Sequence, residues 1–259
     1  MYLTGAKLKK LWECHKIKIC AGICYMFCLL NVLGITTNTK YWKVETVISK
    51  ETVETEGTVR TQSQVEAEED KATEEAPRVA LTFDDGPSKI CTGRLLDGLM
   101  ERDVKATFFV IGENAEASPE LVKRIYEEGH LIGNHTYHHV EITKVSDEKA
   151  KEEIRKTDEA VYHIIGKHIE YVRPPFGAWQ KELEKSLDVL PVMWTIDPLD
   201  WTTENVDEIV NKVVTEVDEN DIILLHDCYD SSVDAALRIV DILKKKGYRF
   251  VTVDELIMD

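Results

Sequence analysis

In Thr82-Phe83-Asp84-Asp85-Gly86-Pro87-Ser88, two adjacent carboxylates stand where an apolar, β-leaning run, Arg78-Val79-Ala80-Leu81-Thr82-Phe83, gives way to a Gly-Pro turn. Consecutive residues of an extended chain point to different sides. One carboxylate could therefore bind a metal ion while its neighbour approaches a metal-bound water from another direction. That division of labour suits hydrolysis. For these residues taken alone, an Asp-Gly turn with two solvated acids is the plain structural alternative.

Further along, His135-Thr136-Tyr137-His138-His139 places three imidazoles in five residues. Leu131-Ile132-Gly133 before it reads as a short buried strand, so these histidines also fall at a strand's C-terminal end, where β/α architectures assemble their active sites. Two imidazoles and one Asp give the three-ligand set with an open position that catalytic zinc uses. His135 and His139 are four apart and would face one ion if the segment turns helically, with His138 pointing elsewhere. His15, His130, His163 and His168 stand alone and read as surface or satisfied core residues.

Two more clusters extend the constellation. Arg173-Pro174-Pro175-Phe176-Gly177 follows the strand-like Ile169-Glu170-Tyr171-Val172. Its prolines rigidify a loop, and such a loop can aim backbone N–H groups at a developing oxyanion. The runs Val192 to Trp201 and Ile222 to Asp227 are apolar stretches that also end in titratable residues. A barrel core explains the apolar residues, but not why successive strand ends carry Asp, His or Arg.

Taken in order, these are Thr-Phe-Asp-Asp-Gly-Pro at 82–87, His-Thr-Tyr-His-His at 135–139, Arg-Pro-Pro-Phe-Gly at 173–177, Asp-Pro-Leu-Asp-Trp at 197–201 and Leu-Leu-His at 224–226. From Arg78 to Asp259 the chain thus resembles the polysaccharide deacetylase family, the carbohydrate esterases with the NodB homology domain. Its members are metal-dependent enzymes that remove N-acetyl or O-acetyl groups from peptidoglycan, chitin or xylan. The resemblance implies Asp84 as general base, with Arg173 orienting it, and Asp85, His135 and His139 as metal ligands. It also implies His226 as general acid, Asp200 as the carboxylate partner of that histidine, and Trp201 and Leu224 as lining for the acetyl methyl group. Phe176 stands where many relatives have Tyr; the family uses this residue's backbone N–H, so the exchange should not abolish activity. Zinc is the implied ion, although an Asp-His-His set also accepts cobalt, nickel or other divalent ions.

The reaction asks for the same partition of roles. An amide carbonyl attacked by metal-bound water becomes a tetrahedral oxyanion that the metal and a fixed N–H can both stabilise. The leaving amine must then be protonated, and a histidine held by a carboxylate can do it. Asp84 lies too close to the metal to be a free acid, which makes His226 the best candidate.

Positioning such a site requires strands whose C-terminal ends converge. Strand-like runs are Val79 to Phe83, Ala106 to Ile111, Leu131 to Asn134, Tyr171 to Arg173, Pro191 to Ile196, Ile222 to Leu225 and Phe250 to Val253. Helical patterns fall between them at Cys91 to Arg102, Pro119 to Glu128, Asp147 to Ile165, Ala178 to Asp188, Val206 to Val217 and Ser232 to Lys246. In the last of these Val233, Ala236, Leu237, Val240 and Leu243 make an apolar face and Gly247 caps the end. Alternation of this kind predicts an α/β domain with a parallel sheet, and functional strand ends favour a distorted or incomplete (β/α) barrel.

Before this domain, residues 1–18 are basic, with Lys7, Lys9, Lys10, Lys16 and Lys18. Ile19 to Ile35 is a charge-free run of seventeen residues, near the lower edge of the roughly 20 that a spanning helix needs. A transmembrane anchor is favoured over a cleaved signal peptide because small residues around Gly34 are poorly arranged for cleavage. The lysines place its N-terminus in the cytoplasm and the domain outside the cell membrane. Residues 36–77 are rich in Thr and Glu and nearly lack large apolar groups after Trp42, a composition that predicts a disordered acidic stalk.

A formal net charge of −16 makes nucleic acid an improbable partner and offers no general attraction to anionic wall polymers, so an acetylated cell-wall polysaccharide must be gripped locally. Cys20, Cys24 and Cys28 lie in the apolar run and Cys14 before it. Cys91 and Cys228 each follow a strand end on the site side; a disulfide and two free thiols are both compatible with the sequence. The expected function is removal of N-acetyl groups from cell-wall glycan, with N-acetylglucosamine of peptidoglycan as the leading substrate. N-acetylmuramic acid, chitin oligomers and O-acetylated polysaccharide are the alternatives. Adjacent acids on one strand end are hard to set across a sugar ring at the roughly 5–9 Å a glycoside hydrolase needs. A non-catalytic glycan-binding module should lack one or more of these residues, and all are present.

Overall fold

A computed structural model describes residues 76–258 apart from 182, 184 and 185. The expected basic segment 1–18, anchor 19–35 and nearly all of the stalk lie outside the described residues. Among the described residues no helix is long and apolar enough to cross a membrane.

Seven strands form one sheet: β1 (Arg78–Asp84), β2 (Thr107–Val110), β3 (Leu131–Asn134), β4 (Tyr171–Val172), β5 (Leu190–Pro191), β6 (Asp221–His226) and β7 (Arg249–Val251). Every pairing among them is parallel, in the order β5-β4-β3-β2-β1-β6, with β7 also on β1. Helices α1 (Thr92–Glu101), α2 (Gly112–Ala117), α3 (Pro119–Glu127), α4 (Asp147–Ile165), α5 (Val206–Glu216), α6 (Asp230–Lys245) and α7 (Val253–Ile257) follow or connect the strands. This is the expected α/β architecture, and two features distort the barrel. The first is that β6 runs along Val79–Asp84 on one edge of β1, so β7 (opposite Arg78–Ala80) and β2 (opposite Thr82–Asp84) share the other edge. The second is that the chain after β5 changes partners. Leu190, Pro191 and Val192 bond to β4, whereas Thr195 and Ile196 bond to β6.

That change corrects the expected strand Pro191 to Ile196, which is regular only at Leu190–Pro191 because its two ends serve different neighbours. The expected helix Ala178 to Asp188 is no continuous α-helix among the described residues, where Lys181 and Leu183 are in 3-10 turns and Leu187 N–H bonds to Leu183 O. Leu183 is buried there with Ile142, and the backbone makes short turns, Leu183 N–H to Gln180 O and Ser186 N–H to Leu183 O. The spacing of Trp179, Leu183 and Leu187 mimics a helical stripe but serves this small cluster. At the C-terminus, Thr252 and Glu255 form a reciprocal capping box that starts α7, so Val253 is helical and not strand. Gly247 has the expected left-handed conformation after α6, with φ 91.

Side chains alternate along the strands, and this decides what enters the site. On β1, Val79, Leu81 and Phe83 pack outward with Phe108, Ile223, Leu225 and the apolar faces of α1, α3, α5 and α6. Ala80 packs inward with Phe109, Tyr171 and Val192. Thr82 and Asp84 share the inward parity of Ala80, as Leu224 and His226 share that of Ile222 on β6. Asp84 and His226 are register partners, so two titratable side chains meet at the top of the barrel interior.

Candidate active site

Asp84 ends β1 and is buried. Its Oδ1 accepts Arg173 Nη1 at 2.9 Å, and the same nitrogen donates to Thr82 Oγ1 at 2.7 Å. Arg173, fully buried after β4, also donates Nε to Val192 O (3.2 Å) and Nη2 to Met193 O (3.1 Å). Its guanidinium lies over the Phe109 ring, 4.1 Å from the centroid, a cation–π contact of about 2 kcal/mol in a dry setting. The outcome is an arginine with one orientation, presenting a fixed pair of donors to Asp84 and its strand.

Asp85 is the next residue but is not extended. Its φ of 70 is left-handed, so strand alternation does not set its direction, and both acids reach one imidazole: His135 Nε2 lies 3.4 Å from Asp85 Oδ1 and 3.8 Å from Asp84 Oδ2. Asn114 Nδ2 donates to Asp85 O at 2.8 Å and holds that turn. Behind it, a side chain at Gly86 would overlap Asp227, with a Cβ only 2.3 Å from Oδ1, so only glycine fits. Asp227 is completely buried; burial pushes its carboxyl up to about 7 against the hydrogen bond from Thr92.

The histidine segment after β3 bends without becoming the expected helical turn, because Thr136 and His139 take left-handed φ values of 61 and 53. The two imidazoles nevertheless converge. His135 Nε2 is 3.4 Å and His139 Nε2 3.3 Å from Asp85 Oδ1, and the three donor atoms lie within 4.8 Å of one another. His135 donates Nδ1–H to Arg173 O at 2.7 Å, which fixes the tautomer with Nε2 free to bind a cation. His138 turns away to Glu153, as expected.

These atoms fit a metal ion. Asp85 Oδ1 is buried without a hydrogen-bond partner, and an anionic oxygen so placed needs a cation. Bonds of about 2.0–2.1 Å in a tetrahedron set neighbouring ligand atoms about 3.3 Å apart, which matches the Asp85–imidazole distances. Burial works to raise the Asp85 pKa, but the electrostatic effect of the nearby imidazoles, His135 first and then His139 and His226, outweighs it and holds the carboxylate below its usual range. Burial lowers the His139 pKa, the direction that favours the neutral imidazole a metal ligand needs. Cys91 and Cys228 are both free thiols, and burial lifts Cys228 to about 12, away from thiolate chemistry.

Opposite this donor set stands His226. Asp200 grips it twice, Oδ1 accepting Nδ1–H and Oδ2 accepting the backbone N–H, both at 2.8 Å. Burial alone would depress this imidazole, yet Asp200, with Asp84 and Asp85 beyond it, raises it to about 9. Both groups lie in a cleft of about 400 Å³ that Phe176, Trp201 and Leu224 line together with Trp194, Asp197 and Tyr229. Phe176 has φ 62 and a largely exposed ring, which meets His139 edge-on at 4.9 Å. All ten candidate residues named from the sequence therefore border or support one cleft. Tyr229 was missed because it lies beyond the Leu-Leu-His motif in a stretch without pattern. Asn114, Thr82 and Glu153 act through contacts distant in sequence.

Comparison with known proteins points to one family. The sequence profile of the polysaccharide deacetylase family matches residues 71–193. A peptidoglycan-N-acetylglucosamine deacetylase of Bacillus cereus is 42% identical over 188 residues, 69% of this chain and 67% of that protein. The peptidoglycan-N-acetylglucosamine deacetylase PgdA of Listeria monocytogenes is 39% identical over 69% of this chain, which spans only 38% of that longer relative. Among solved structures, the peptidoglycan deacetylase PdaC of Bacillus subtilis superposes with a TM-score of 0.69 at 37% identity, over 70% of this chain and 90% of the other. With sequence identity at this level across most of the described domain, and the motif residues gathered at the strand ends of one distorted barrel, the chain belongs to the polysaccharide deacetylase family.

Proposed function

We propose that this chain removes N-acetyl groups from cell-wall glycan, acting on N-acetylglucosamine of peptidoglycan with zinc as its ion. One observation carries the reading: the Asp85–His135–His139 set, with a carboxylate oxygen lacking any hydrogen bond, sits between an arginine-held acid and an aspartate-held histidine in a single cleft. The named activities of the similar proteins support the choice of glycan.

Asp85, His135 and His139 would hold the ion, which when bound supplies Lewis acidity to the acetyl carbonyl and makes water more acidic. Asp84, fixed by Arg173, accepts the proton of the attacking water as oxygen adds to the acetyl carbon. Arg173 keeps Asp84 aimed into the cleft. The backbone N–H of Phe176 is the proposed donor to the oxyanion. When the carbon–nitrogen bond breaks, His226 gives its proton to the leaving sugar amine, and Asp200 stabilises the imidazolium it starts from. Trp201 and Leu224 enclose the acetyl methyl group in the cleft. The products are acetate and a free amino sugar. Mass spectrometry of peptidoglycan fragments treated with the full chain should show loss of acetyl groups from glucosamine residues. Loss from muramic acid residues alone, or from chitin oligomers alone, would overturn the sugar assignment, and cleaved or unchanged glycan would overturn the reaction.

The chain is further proposed to be held at the outer face of the cell membrane by residues 19–35, on the strength of that apolar run and the lysines before it. Protease added to intact, wall-stripped cells should then release the domain by cutting within 36–77. A protected domain would reverse the orientation.

A further inference from the structure

Glu153 lies in α4 with its side chain fully buried, and nothing in the chemistry above uses it. Withdrawing a carboxylate from water costs several kcal/mol unless its oxygens are paired, so its partners show what the burial serves. Oε2 accepts the backbone N–H of His138 at 2.8 Å; Oε1 accepts His138 Nδ1–H at 2.9 Å and lies 2.9 Å from Lys149 Nζ. The carboxylate thus grips the residue immediately before His139.

The segment between the two imidazole ligands needs outside support. Left-handed backbone at a non-glycine residue costs about 1–2 kcal/mol, and Thr136 and His139 both adopt it. The first half is secured by main chain. His135 N–H donates to Val110 O at 2.9 Å, and the carbonyls of Thr136 and Tyr137 accept Gly112 and Glu113 N–H at 3.0 and 3.1 Å. At Gly112 a Cβ would fall 2.5 Å from the Tyr137 ring, so the approach that permits these bonds requires glycine. The second half turns on the His138 N–H, and its acceptor is Glu153.

We infer that Glu153 is a positioning residue for the metal ligands: by accepting the His138 N–H it fixes the left-handed turn that aims His139 at Asp85, and so sets metal affinity. This rests on the reading of Asp85, His135 and His139 as ligands. A buried carboxylate two contacts from the ion then acts as ligand-orienting partners do elsewhere, where removal costs about 10–100-fold in affinity.

The test is a competition titration of the metal-free full chain with Zn²⁺ against a chelator, together with the visible spectrum of the Co²⁺ form and the thermal unfolding of the metal-free protein. Glu153→Leu removes the acceptor and is expected to weaken Zn²⁺ binding about 10–100-fold and alter the Co²⁺ spectrum. Glu153→Gln keeps a carbonyl oxygen for the His138 N–H and should bind close to the unsubstituted chain. Equal affinity in Glu153→Leu, equal weakening in Glu153→Gln, or a lowered unfolding temperature with unchanged affinity would each overturn the inference. If Glu153→Leu does not fold, Glu153→Asp decides, since it retains the charge but withdraws it by one methylene; unchanged affinity and spectrum there overturn the inference as well. An unsubstituted chain that binds no Zn²⁺ would instead sink the metal reading itself.

Discussion

Replacing His135 or His139 with alanine is expected to abolish metal binding and deacetylation together, whereas His138→Ala keeps both. The two imidazoles reach within 3.3–3.4 Å of the same carboxylate oxygen, and that oxygen has no hydrogen-bond donor to fall back on. Losing either leaves two protein ligands and a buried, undersatisfied anion. The affinity loss should exceed the roughly 10–100-fold seen when only an outer partner is removed. His138 presents its ring to Glu153 and not to the donor set, and alanine retains the main-chain N–H that Glu153 accepts. Metal content of the purified variants checks this directly. Full occupancy in His139→Ala would remove it from the ligand set.

Much of this site was legible because strand ends are legible. Asp84, His135, Arg173 and His226 each follow a short apolar run closed by a polar or turn residue, and β-strand alternation then dictates that Asp84 and His226 share a face with Thr82 and Leu224. What sequence could not supply was geometry set by distant contacts. The histidine spacing suggests a helical turn, yet the carbonyls at 136 and 137 are captured by the N-terminus of α2, which imposes a bend with left-handed residues. The run Pro191 to Ile196 looks like one strand because its composition is uniform, and only the closing barrel divides it between β4 and β6. Glu153 sits in Asp147-Glu148-Lys149-Ala150-Lys151-Glu152-Glu153, where every charge reads as a solvated helix surface. Its burial comes from the loop that α4 happens to face.

Asp84→Asn should retain the metal and lose turnover by about 10²–10⁴-fold, the usual worth of a positioned general base. Asparagine keeps the shape that Arg173 holds and leaves Asp85 untouched, so metal content should match the unsubstituted chain while acetate release collapses. His226→Ala should lose rate to a similar extent for want of a proton on the leaving amine. Asp200→Asn should show how that proton is held. Asp200, with the two site carboxylates behind it, raises His226 from 6.5 to about 9 in the metal-free chain despite burial. A raised pKa means the folded chain keeps a proton that the unfolded chain loses. The stability this contributes is complete below 6.5 and disappears as pH rises through about 9. A bound divalent ion offsets the charge of Asp84 and Asp85, so the alkaline limb of activity should fall between those two values and move toward neutral in Asp200→Asn. Rate profiles from pH 5 to 10 on an N-acetylated oligosaccharide read this out, pH 5 to 10 being a range of about five units that brackets the ordinary imidazole value. An alkaline limb unmoved by Asp200→Asn would show that His226 is not the acid, and near-normal turnover in Asp84→Asn would show that the proton of the attacking water goes elsewhere.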